Sequence, residues 1–212
     1  MFLFSLLVLI CSVILHEVAH GYMANWLGDP TARLAGRLTL NPIAHIDPIG
    51  SILLPGILLI GQTFTHVPLL IGYAKPVPIN PHYLTGKYDE ALTAFAGPGT
   101  NILLAIIFGL AIRFMGGVET PLTDAFATIC YLNMVLALFN LIPIPPMDGS
   151  RVLAALLPGP LGRAYDGFRF SFERLGIVSS TFIIMLVFYY ILSGPFTLLL
   201  GLLFSLLTGV QI

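Results

Sequence analysis

FLFSLLVLICSVILHEVAHGYMANWL, residues 2–27, is an apolar run interrupted by His16, Glu17 and His20. A membrane helix needs about 20 apolar residues, so this run is long enough to cross a bilayer. Three polar, titratable side chains inside it are costly in hydrocarbon and by default mark a functional site. On a helix, residues four apart share a face, so His16 and His20 can both reach one metal ion. Glu17, beside them, can then act as general base toward a water at that metal. A soluble protein with this chemistry has no need to carry it on a membrane helix.

The rest of the 212-residue chain agrees with that setting. It is 57% hydrophobic and only 9% charged, with a mean hydropathy of +0.96. A soluble domain carries roughly 25% charged residues. The net charge of −1 argues against nucleic acid as a partner. Cys11 and Cys130 both lie in apolar stretches and read as small hydrophobes rather than as a disulfide. Residues 1–15 lack a basic start, and cleavage after them would cut the His-Glu motif from its helix, so they are not read as a signal peptide.

Further apolar blocks follow at 48–71, 91–114, 126–142 and 178–207. The first is interrupted by Pro55, Gly56, Gly61, Gln62, His66 and Pro68. The second contains Gly97-Pro98-Gly99-Thr100-Asn101, which is expected to kink or break it. The last is interrupted at Ser193-Gly194-Pro195 and reads as one kinked helix or two short ones. If 48–71 re-enters rather than spans, every Lys and Arg except Arg113 falls on one side, which the positive-inside rule favours. The N-terminus is then outside and the long loops are cytoplasmic. Residues 36–41 alternate apolar and polar side chains and suggest a short strand. Residues 74–81, with Pro76, Pro78 and Pro81, are expected to be extended.

A catalytic zinc takes three protein ligands and one open position. Asp148 is the best candidate for the third, just past an apolar block in Asn140-Leu141-Ile142-Pro143-Ile144-Pro145-Pro146-Met147-Asp148-Gly149. There the prolines stop a helix, and Gly149 allows a tight turn that could aim the carboxylate back. The plainer reading of Asp148 is a turn residue. His45 and Asp47 form a rival pair, equally readable as a polar cap or as groups orienting a ligand. His66 and His82 read as loop residues. Asn101 either bonds to a neighbouring helix or supports the active site.

The His16–His20 motif, the 97–101 block and the Asn140-to-Gly149 block, in this order and each in a membrane setting, resemble the site-2 protease family of intramembrane zinc metalloproteases. The resemblance runs from about Phe2 to Gly149. It implies His16, His20 and Asp148 as ligands of one zinc per chain, Glu17 as the catalytic carboxylate, and Asn140 near bound substrate. It also implies that residues 32–48 form a membrane-associated strand region. No loop is long enough for a PDZ or nucleotide-sensing domain, so a minimal prokaryotic member is expected.

The expected fold is an all-α polytopic membrane protein of about four to six transmembrane helices, with a short strand region and re-entrant loops. It forms one domain over 1–212, with a catalytic core at 1–150 and C-terminal membrane helices at 178–209. The expected function is cleavage of single-span membrane proteins, with the lipid bilayer and an unidentified membrane regulator as further partners. The expected location is the cell membrane, with the site opening toward the cytoplasm. A divalent-metal carrier and an inactive scaffold are the alternatives. The other apolar blocks offer almost no ligands for the first, and the full set of catalytic side chains disfavours the second.

Overall fold

The computed structural model describes residues 2–47, 75–116, 118 and 120–210. The expectation of a re-entrant segment at 48–71 lies outside them. The described chain is helical: α1 (Phe2–Trp26), the single turn α2 (Thr31–Leu34), α3 (Asp89–Phe114), α4 (Pro121–Asn140), α5 (Asp148–Leu156), α6 (Gly159–Glu173), α7 (Ile177–Val187) and α8 (Ser193–Thr208). Four helical stretches are long and apolar enough to span a membrane: α1, α3, α4 and Phe182–Thr208.

These helices are arranged as a bilayer requires. Large side chains such as Phe2, Leu3, Leu7, Leu103 and Leu198 face outward, and small or polar ones face the neighbouring helices. Among lipids, small residues let backbones approach, and packing replaces the hydrophobic drive between helices. The core of the bundle is Ala105, Cys130, Met134, Leu200 and Phe204. A Cβ at Gly109 would lie 3.0 Å from Leu207 Cβ and 3.2 Å from Cys130 Sγ, so glycine brings α3, α4 and α8 together. Helix α4 begins with a reciprocal Thr120–Thr123 capping box and Pro121 in the first turn.

One expectation changes here and another narrows. Of the kink or break expected at 97–101, the break does not occur, and α3 runs through with Pro98 inside it. Residues 36–41 form no strand, and none is present among the described residues. The local polar groups are engaged elsewhere: Gly36 turns the chain at φ +65°, the Thr39 hydroxyl accepts from Asn41 N–H at 3.2 Å, and the Thr39 carbonyl accepts from His45 Nε2 at 2.8 Å. The C-terminal block resolves into one helical path. A π-helical turn, Phe188–Leu192, joins α7 to α8. Pro195 cannot donate to the carbonyl four residues back, and a wider turn just before it accommodates that loss.

Candidate metal centre

Ser12, His16 and His20 recur every four residues and form the buried polar stripe of α1. Asp148 reaches them from the first turn of α5. His16 Nε2 and His20 Nε2 lie 3.2 and 3.3 Å from Asp148 Oδ2, and the two Nε2 atoms are 3.1 Å apart. These donor atoms all fall within 4.8 Å of one another, and no other such group occurs among the described residues.

Gly149 has a different part from the expected one. It sits in α5 without a positive φ. A Cβ there would collide with the Leu141 carbonyl and come within 2.8 Å of the Ile142 carbonyl oxygen. Its bare Cα therefore lets α5 dock against the end of α4, which brings Asp148 to the histidines.

The histidine rings are aimed from behind. His16 Nδ1 donates to Asn101 Oδ1 at 2.6 Å, and His20 Nδ1 donates to the Thr93 carbonyl at 2.7 Å. Both acceptors are oxygens, so the protons sit on Nδ1 and each Nε2 lone pair faces the Asp148 side. Asn101 is held in turn: its Nδ2 donates to Asn133 Oδ1 at 2.9 Å, and Asn133 Nδ2 donates to Ser12 Oγ at 3.0 Å and to the Ile129 carbonyl at 2.9 Å. Both asparagines are fully buried. Two neutral imidazoles and a carboxylate suit zinc, and outer partners that fix each ring are what a metal site needs. Gly97 supplies the space: a Cβ there would overlap His20 Nε2 and stand 2.7 Å from His16 Nε2.

The other expected residues divide. Glu17 is half-buried, and its Oε2 accepts the Val77 N–H at 3.0 Å. Asn101 touches His16 and, through Asn133, also links α3 to α4. Asn140 ends α4, and its Nδ2 donates to Leu136 O at 2.9 Å, within its own helix. His45 is buried on the Thr39 carbonyl and does not join the three donors. The rival His45–Asp47 ligand pair is thus not assembled among the described residues. Sequence reasoning passed over Asn133, Ser12 and Val77. The first two had a signal: a lone polar side chain in an apolar block is by default functional.

Residues 118–187 match the model of peptidase family M50. The chain is 40% identical to YwhC of Bacillus subtilis over 164 residues, covering 73% of this chain and 69% of that protein. It is 30% identical to Rip2 of Mycolicibacterium smegmatis over 143 residues, 67% of this chain and 52% of Rip2. It is also 27% identical to MJ0392 of Methanocaldococcus jannaschii over 182 residues, 86% of this chain and 41% of MJ0392. The matches thus span about half or less of the latter two relatives. All three names carry the words zinc metalloprotease. No solved structure matches. Kinship at this level over more than two thirds of YwhC, in a chain whose apolar helices bring two histidines and an aspartate together, makes it a metalloprotease of peptidase family M50, the site-2 proteases.

Proposed function

We propose that the chain is an intramembrane zinc endopeptidase that cleaves other membrane proteins within or near their spanning segments. The observation that carries this reading is the convergence of His16 Nε2, His20 Nε2 and Asp148 Oδ2 beside Glu17, in the interior of span α1. The ten residue steps from His16 to Trp26 amount to roughly 15 Å of helix rise, about half of a ~30 Å hydrocarbon core. His16, His20 and Asp148 would hold one zinc per chain, which when bound supplies a Lewis acid for the scissile carbonyl and a water activated at neutral pH. Glu17 takes the proton from that water and delivers it to the leaving amine nitrogen. Asn101 and the Thr93 carbonyl keep both imidazoles in the tautomer that leaves Nε2 free.

A transmembrane substrate must unwind locally to expose a carbonyl. An apolar groove of about 330 Å³ runs beside the motif, lined by Val18, Ala19, Tyr22, Leu38, Leu40 and Thr100 among others. It suits the apolar side chains of a single-span substrate, and Asn140 is proposed to meet the substrate backbone near the loop to Asp148. The test compares purified, zinc-loaded wild type with Glu17→Gln on a single-span substrate. If the two behave alike while zinc is bound, the reading fails.

Asn133→Leu should lower zinc affinity by about 10–100-fold although Asn133 touches no ligand, because Asn101 loses the partner that fixes its amide. Chelator competition measures this, and an affinity equal to wild type would show that the relay does not matter.

Orientation follows from charge and from one contact. Lys75 N–H donates to the His45 carbonyl at 2.9 Å. Two residues one hydrogen bond apart do not lie on opposite faces of a ~30 Å core, which supports placing loops 27–47 and 75–88 on one side. With Arg113 alone on the other, the positive-inside rule makes the first side cytoplasmic, in a multi-pass protein of the cell membrane whose site opens inward. A reporter fused after Gly116 should read as external and one near Arg163 as cytoplasmic, and the reverse would overturn this orientation.

A further inference from the structure

We propose that residues 75–80 form a strap whose task is to position the Glu17 carboxylate, with Val77, Arg37 and Asp29 as positioning residues. This rests on the reading of Glu17 as the proton-transferring group. The strap, Lys75-Pro76-Val77-Pro78-Ile79-Asn80, contains no helix. Pro76 and Pro78 have no N–H, so Val77 offers the one main-chain donor between them. That donor goes to Glu17 Oε2 at 3.0 Å.

Two buried charges hold the strap in place through its main chain. The Arg37 guanidinium donates to the Lys75 carbonyl at 2.7 Å and to the Pro76 carbonyl at 3.4 Å. At the other end, Asp29 Oδ2 accepts the Asn80 N–H at 2.7 Å, while its Oδ1 accepts from Thr31. Arg37 is 8% exposed and Asp29 0%. Burying an ion is costly unless its partners are well placed, and here both ions serve the six residues that carry the Val77 donor. Gly21, one helical turn beyond Glu17, completes the fit. A Cβ there would stand 2.9 Å from the Val77 Cγ1 methyl and 2.6 Å from the Leu38 Cδ2 methyl, so a branched side chain at 21 would press on the strap.

Amide hydrogen exchange tests the geometry without activity. In zinc-free protein, NMR reads the Val77 amide by itself, since its flanking prolines carry none. Glu17→Ala should speed that exchange by about tenfold or more, and Arg37→Met and Asp29→Asn should speed it too. In the zinc-loaded enzyme, Val77→Pro deletes the donor and should lower kcat by about tenfold or more, with KM and zinc affinity within about threefold of wild type. Val77→Ala loses packing but keeps the donor, and its kcat should stay at least about fivefold above that of Val77→Pro. Gly21→Val, which keeps the N–H but displaces it, should reproduce the kcat loss and serves if Val77→Pro does not fold. Unchanged exchange in Glu17→Ala, or equal kcat in Val77→Pro and Val77→Ala, would overturn the proposal. If Glu17→Gln is inactive while the strap variants cleave normally, the strap alone fails. If Glu17→Gln cleaves normally, the reading of Glu17 fails first.

Discussion

Glu17→Gln is expected to abolish cleavage while leaving zinc bound. Glutamine has the size and shape of glutamate, and its carbonyl oxygen can still accept the Val77 N–H. The metal group, made of His16, His20 and Asp148, does not include Glu17, so zinc affinity should hold within a few-fold. What the amide cannot do is take a proton from water at neutral pH. General acid–base catalysis contributes about 10²–10⁴-fold, or roughly 3–5 kcal/mol of barrier, and a loss in that range should appear in kcat rather than KM. Product formation followed by mass spectrometry, with zinc content measured on the same preparation, separates the two quantities. A zinc-loaded Glu17→Gln that cleaves at the wild-type rate would place proton transfer on another group. Loss of zinc in step with activity would instead make Glu17 part of metal binding.

Much of this site was legible before any fold was known, because its costs are written into single positions. Two histidines at helical spacing in an apolar run are too costly in hydrocarbon to serve packing alone, and Asp148 stood out because acids are scarce in this chain. The four spans were legible for the same reason: length and apolarity are properties of continuous sequence. What escaped were relations between distant residues. Ser12, Asn101 and Asn133 look like isolated polar residues on three helices, and only packing brings them into one hydrogen-bonded line to His16. The Val77 N–H is a main-chain group and has no sequence signature of its own. At Pro98 only one of the two outcomes expected there, a break, does not occur. A proline inside a helix removes one hydrogen bond, but α3 is held by α1 and α4 on either side of it, so the helix continues. Alternation at 36–41 misled, because a strand needs a ladder partner and Thr39 is bonded within its own loop.

Gly97→Ala should cost the protein its zinc and also lower the thermal stability of the zinc-free fold. Both effects come from one added methyl, which outweighs the gain in helix propensity. In a helix interior alanine is favoured over glycine by about 1 kcal/mol, and Gly97 lies inside α3 with no positive φ to protect. The added methyl, however, would overlap His20 Nε2 and stand 2.7 Å from both His16 Nε2 and His20 Cε1. Neither ring can withdraw without breaking its anchor, the 2.6 Å bond to Asn101 or the 2.7 Å bond to the Thr93 carbonyl. The methyl therefore occupies the space that the three donors share. Zinc affinity should fall by about 100-fold or more, at or beyond the upper end of what losing one outer partner costs. Gly99→Ala is the matched control: it makes the same exchange two residues along α3, where the nearest neighbour of the new Cβ is the Phe95 ring at 3.2 Å. That ring is half exposed and can turn aside, so this variant should keep wild-type affinity within a few-fold. Chelator competition reads the affinities, and thermal melting of the zinc-free proteins reads the folds. If Gly97→Ala holds zinc as tightly as Gly99→Ala does, the ion does not sit among His16, His20 and Asp148 as these donors are placed here, because the methyl would overlap His20 Nε2.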